Sequence, residues 1–166
     1  MGVLEFAADA IVSGTVLGID VSWSPDQVAK VMGEHFGVGH WRGSMRRDYG
    51  VVEFFWEGSD RQGWQGHHFT IQIHRLTVNQ TRKRLNKAIK KRYGSFDSTL
   101  LFTELESILR ERNISLIELP NPSEGYREYW QPQTLMSTLV VDSGEESGRV
   151  HGIYSNQSAQ AVTSRS

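Results

Sequence analysis

The sequence predicts an α+β fold, an antiparallel sheet backed by helices, within one compact domain over residues 1–166. Three observations carry this expectation. A capped amphipathic helix opens at "WSPDQV". A β-branched, aromatic run, "VVEFFW" at 51–56, precedes a clean alternation, "HHFTIQIHR" at 67–75. The same order of helix, acid–Tyr pair, strand, polar turn and strand then recurs further along the chain.

The first sixteen residues are moderately apolar and fit a helix or a strand. At Trp23–Val28 the helix signal is explicit. Ser24 is a good N-cap, Pro25 at the first helical position loses an N–H that lacks a partner anyway, and Gln27 can complete a capping box. Val28, Val31, Met32 and Phe36 follow at helical spacing until "GVG" at 37–39. "FGVGHWRGS" then reads as a Gly-rich loop. The runs at 51–56 and 67–75, separated by "EGSDRQG", predict an antiparallel hairpin with one packed face.

"NQTRKRLNKAIKKRYG" (79–94) reads as a helix with a narrow apolar stripe of Leu85, Ala88, Ile89 and Tyr93. A second helix is expected over 96–113, capped by Asp97 or Ser98 and burying Leu101, Leu105, Ile108, Leu109 and Arg112 on one side. Strands are expected at 114–120, 134–141 and 149–155, and a flexible polar tail at 156–166. Residues 17–76 and 97–155 would then be two helix-plus-sheet units joined by the helix at 79–94. The alternative is one α+β sheet whose halves look alike.

Composition excludes several functions. A chain of 166 residues can bury a sizeable core without a staple, and with no cysteine it has no disulfide, thiolate nucleophile or Cys-ligated metal. No basic residue precedes the apolar amino terminus, and Glu5 and Asp9 interrupt it. Neither a secretory leader nor a membrane span is expected, and the reading is a cytoplasmic protein. No cofactor signature is present, and none is expected.

Charge is uneven. Residues 1–77 carry six Lys/Arg and nine Asp/Glu, residues 78–93 seven and none, and residues 94–166 five and ten. Arg84, Lys87, Lys90 and Lys91 of the basic helix are candidate phosphate contacts. With acidic flanks and no RNA- or DNA-binding motif, the simpler partner for this helix is acidic protein surface. His67, His68 and His74 do not make a metal site. His68 and His74 share a strand face but stand six residues apart, while His67 faces away. No serine or threonine sits in an activating motif. Glu53, inside an apolar strand, is either an acid–base group or, more simply, a carboxylate on a wet sheet face.

If Val52, Phe54 and Trp56 pack inward with Phe69, Ile71 and Ile73, then Val51, Glu53 and Phe55 face outward beside His68, Thr70, Gln72 and His74. Trp41, Trp64 and Trp130 lie in or beside loops. Aromatics, histidines and one carboxylate on a rigid sheet form a candidate partner-binding surface, because rings supply contact area at low entropic cost. Tyr49, Tyr129 and Trp56 are further contact candidates, with the core as their other possible place.

Residues 17–76, with "LGIDVSWSPDQVAKVMGEHF", "RRDYGVVEFFWEG" and "GHHFTIQIHRL", resemble small actinobacterial proteins that serve as immunity partners of polymorphic toxins. The doubled helix-plus-sheet pattern is also similar, at fold level, to the β-lactamase inhibitor protein architecture. The resemblance implies a non-enzymatic inhibitor that binds a toxin, with no catalytic residue. The acidic halves favour a basic toxin domain as partner. The alternatives are a small-molecule-binding or enzymatic α+β domain, or a nucleic-acid-binding accessory protein using residues 79–94.

Overall fold

The computed structural model describes residues 2–155, so the flexible tail expected at 156–166 lies outside the described residues. Two helices, α1 (Val3–Ser13) and α2 (Pro25–Met32), lead into a meander of β1 (Gly37–Trp41), β2 (Ser44–Asp48), β3 (Val52–Ser59) and β4 (Gly63–Ile71). A 3-10 turn at Ile73–Thr77 then opens onto α3 (Asn79–Lys83), α4 (Lys87–Tyr93) and α5 (Phe102–Glu111). A second meander follows: β5 (Ile117–Glu118), β6 (Tyr126–Gln131), β7 (Met136–Val141) and β8 (Val150–Ser155). The result is an α+β fold with a single eight-stranded antiparallel sheet in the order β1-β2-β3-β4-β8-β7-β6-β5. The meanders meet at its centre, where Ile71 lies opposite Ile153.

Local chemistry sets α2. Ser24 Oγ accepts from the Gln27 N–H at 3.2 Å, and Gln27 Oε1 accepts from the Ser24 N–H at 2.9 Å. Val28 and Met32 then drop into the core. In α1, Val3, Phe6, Ala7, Ala8, Ala10 and Ile11 are all buried, so the helix packs a broad face into the core, and Gly14 ends it in the left-handed region at φ 70°. Its two carboxylates are met from other helices. Arg112 reaches Asp9 and Glu5, each at 2.7 Å, and the Tyr93 hydroxyl donates to Asp9 at 2.8 Å. Burial, the strongest influence, pushes the Asp9 pKa up, but these hydrogen bonds outweigh it and hold the carboxyl below its usual value.

The core lies between helices and sheet. Phe54, Trp56, Phe69, Ile71 and Ile153 point to the helix side, where Trp56 Nε1 donates to the Trp23 carbonyl at 2.8 Å. On the second meander, Tyr129 stacks on Phe102 of α5 at 4.1 Å. The chain before α2 crosses the sheet at Gly66, where a Cβ would collide with the Val21 carbonyl oxygen.

Several expected elements differ. "GVGHW" and "SMRRD" form the β1–β2 hairpin, not a loop. The helix expected over 79–94 is two short helices, because Asn86 interrupts it. Its side-chain oxygen accepts from the Ala88 N–H at 3.0 Å and starts α4 afresh. The helix expected over 96–113 begins only at Phe102 with Leu101 as its cap position, since Leu101 bridges to Arg149. Leu101 is accordingly exposed rather than part of the buried stripe. The strand expected at 114–120 shortens to two residues, whereas "YREYWQ" is a full strand. No helix of the described residues is long and apolar enough to cross a membrane.

Candidate functional site

The sheet face turned away from the helices, hereafter the outer face, gathers most of the residues singled out by sequence. Pairing sets the rows. Gly39 lies opposite Arg46, Arg46 opposite Phe55, and Phe55 opposite His68, so these four residues cross β1 to β4 in one line. Phe55 and His68 stack with ring centroids 4.1 Å apart and an interplanar angle of 8°. The Arg46 guanidinium lies 5.5 Å from the Trp41 ring centroid. Trp41 folds back over Gly39: its Cη2 stands 2.9 Å from where a Gly39 Cβ would be. With no side chain at Gly39, the indole lies flat along the strand, and Trp41 remains 55% exposed. Trp41, Arg46, Phe55 and His68 thus form a continuous row of contacting side chains across β1 to β4.

The same device recurs across the seam. Tyr154 lies over Gly152, its Cζ 2.7 Å from the place of a Gly152 Cβ. Both sites read Gly-x-aromatic within a strand, a signal present in the sequence and passed over there.

Below this surface sits a charged network. Glu53 is 3% exposed, and its carboxylate accepts from Arg75 at 2.6 Å and Arg46 at 3.4 Å. Arg75 also reaches Asp48 at 3.1 Å and the Gly50 carbonyl at 2.8 Å. Gln72 donates to Thr70 at 3.0 Å, and both lie within 3.5 Å of Glu53. Glu53 is therefore neither a wet-face carboxylate nor a solitary acid–base group. It is the buried hub of an ion cluster tying β2, β3 and the 3-10 turn together. Arg46 and Arg75, which complete the hub, were not among the expected site residues. Arg75 comes from the 3-10 turn, whose position follows only from the fold.

The histidines are placed differently from the sequence expectation. A register shift at Phe55/Trp56 lets the two neighbouring rings meet, with His67 Nδ1 and His68 Nδ1 2.6 Å apart and His67 Nε2 3.3 Å from Glu57. That contact requires one nitrogen to carry a proton and the other to lack it. Burial first, and the neighbouring His67 second, hold the His68 pKa down to about 4. His74 does not share the β4 face: it lies in the 3-10 turn and stacks on His151 at 4.1 Å. Among the described residues, no group of three or more His, Asp or Glu side chains is placed to hold a metal ion.

Burial corrects the expected contact set. Tyr49, Trp56 and Tyr129 are core residues at 4%, 2% and 9% exposure, so they pack inside the fold and do not offer a partner contact. Val51 is likewise buried. Trp130 faces outward, opposite Ser137, but is only 7% exposed. Trp64 is half-buried at the hairpin end, its indole N–H donating to Asp60 at 2.9 Å. Arg84, Lys87, Lys90 and Lys91 lie away from this face, around a cleft beside α2.

The site is thus an aromatic surface on an α+β sheet, braced by a buried ion cluster in which Arg46 and Arg75 are matched by Glu53 and Asp48. No family model, curated protein or solved structure matches the chain.

Proposed function

We propose that this chain is a non-enzymatic protein-binding module, an immunity-type inhibitor that acts in the cytoplasm by capping a toxin with the outer face of its sheet. The observation that carries this reading is the row Trp41, Arg46, Phe55 and His68. Its rings and guanidinium are held against one another by the Phe55–His68 stack and the Arg46–Trp41 contact, and the carboxylate beneath them is already neutralised by two arginines. Aromatic and arginine side chains held rigid in advance are the groups that dominate protein interfaces, since little conformational freedom is lost on binding. A reactive site needs a polar group with unsatisfied capacity poised over a cavity. Glu53 instead has its charge met by Arg75 and Arg46.

The exposed Glu57 at the edge of the row, and the acidic excess of both sheet halves, favour a basic partner by steering encounter. The test is co-expression with a basic toxin domain encoded next to this chain. Wild type should restore growth. The double variant Trp41→Ala/Phe55→Ala should not, although it stays soluble and folded. Equal protection by the double variant would remove the outer face from the account.

A further inference from the structure

The basic residues at 83–91 close one side of a cleft whose other wall is the C-terminal end of α2. The cleft encloses about 630 Å³. Lys83, Arg84, Lys87, Lys90 and Lys91 line it from one side, and Lys30 faces them from α2. No carboxylate lines it, and Glu34 stands just outside, between the lining residues Gly33 and His35. Among the described residues none of these six cations is in an ion pair. Their neighbour Arg92, by contrast, points away and lies 3.8 Å from Asp9. The acidic surface expected to meet this basic segment therefore meets Arg92 and not the cleft.

The walls are fixed before any ligand arrives. Asn86 Nδ2 donates to the Met32 carbonyl at 2.8 Å, tying the start of α4 to the end of α2. The Tyr49 hydroxyl donates to the Gly33 carbonyl at 3.3 Å. Between the cations the floor is apolar, made by Val31, Met32, Leu85 and Ala88.

We propose that this cleft binds a phosphorylated small molecule with an apolar ring body, of the nucleoside polyphosphate kind. Six exposed cations lining one concave surface repel one another, and a compact polyanion relieves that repulsion. Lysines act on phosphate as point charges and need no bidentate geometry. The volume falls in the ordinary range for small-molecule sites, and the apolar floor suits a ring that bare phosphate lacks. Lys30 on the opposite wall makes the charge converge, where a nucleic-acid strand would be served by a linear track.

Titration calorimetry on the whole chain at low salt tests this with ATP, adenosine, tripolyphosphate and a single-stranded oligonucleotide. The expected result is ATP binding at least tenfold tighter than tripolyphosphate, with no heat from adenosine. Lys87→Glu/Lys91→Glu and, separately, Lys30→Glu should each weaken ATP at least tenfold without lowering the unfolding temperature. The proposal is overturned by no ATP binding, by equal affinity for ATP and tripolyphosphate, or by tighter binding of the oligonucleotide. Indifference to Lys30→Glu would also overturn it, because the charge would then be a surface patch and not a cleft.

Discussion

Arg75 and Glu53, 22 residues apart in the chain, meet at 2.6 Å beneath the outer face, and the same guanidinium holds Asp48 at 3.1 Å. Removing Arg75 leaves a carboxylate with 4% side-chain exposure whose charge is met by Arg46 at 3.4 Å, with Thr70 and Gln72 as neutral donors at 3.5 Å. Stripping a buried charge of its partner costs several kcal/mol, whereas replacing a whole pair with apolar groups can be neutral. Arg75→Ala should therefore lower unfolding stability by about 3 kcal/mol. Arg75→Met combined with Glu53→Leu should cost less than either single change, as denaturant midpoints would show.

Gly39 gives Trp41 the space to lie flat. A Cβ there would stand 2.9 Å from the indole, and the side chain must swing away. Gly39→Val should leave stability within about 1 kcal/mol, since β1 is an exposed edge strand and β-branched residues suit strands. Tryptophan fluorescence should shift as the indole turns away from Arg46.

The capping box at α2 is a local device with a local cost. Ser24→Ala removes the acceptor of the 3.2 Å bond from the Gln27 N–H. It should cost about 1 kcal/mol in chemical denaturation. Ser24→Asp should recover most of that, because a carboxylate can cap as well and also suits the helix dipole.

His68 predicts a stability that falls in acid. Its folded pKa lies at about 4, against 6.5 for the solvent-exposed group, so the unfolded chain binds the proton more tightly between those values. Stability should be full above about pH 6.5, decline as pH falls toward 4, and lose nothing further from this group below 4. His151, lowered first by burial and then by His74, adds to the decline. The Asp9 contribution, with its pKa below 3.8, is lost only in stronger acid. Thermal melts between pH 7.5 and 5 should show the decline, and His68→Phe, which keeps the stack on Phe55, should flatten it. A melt independent of pH in wild type would contradict the placement of this histidine.

Sequence revealed what is local and periodic. The α2 cap depends on four adjacent residues, and the alternation of β3 and β4 survives because their inward side chains are large. What it hid depends on distant partners. In β2, Arg46 and Arg47 point to opposite faces, one toward Trp41 and the other over Phe36 at 4.2 Å, so no apolar alternation marks the strand. In β1, Gly37 and Gly39 dilute the pattern further. In α1 the buried face is broad, and alanines at 7, 8 and 10 blur the periodicity that would separate helix from strand. Half the outer-face row, Phe55 and His68, was legible from alternation. Arg46 was not, and Tyr49, Trp56 and Tyr129 stood open between contact surface and core, because aromatic side chains read the same in either place until packing decides.

In the function proposed above, the row of Trp41, Arg46, Phe55 and His68 grips a basic protein partner. The most direct test is a binding titration of a basic toxin domain, of the kind proposed as partner, against wild type, Trp41→Ala, Phe55→Ala and, as a control on the far side of the fold, Lys91→Glu. The account predicts a one-to-one complex weakened by at least tenfold, about 1.4 kcal/mol, in each outer-face variant and unchanged by Lys91→Glu. A complex insensitive to both outer-face changes, or disrupted by Lys91→Glu alone, would contradict it.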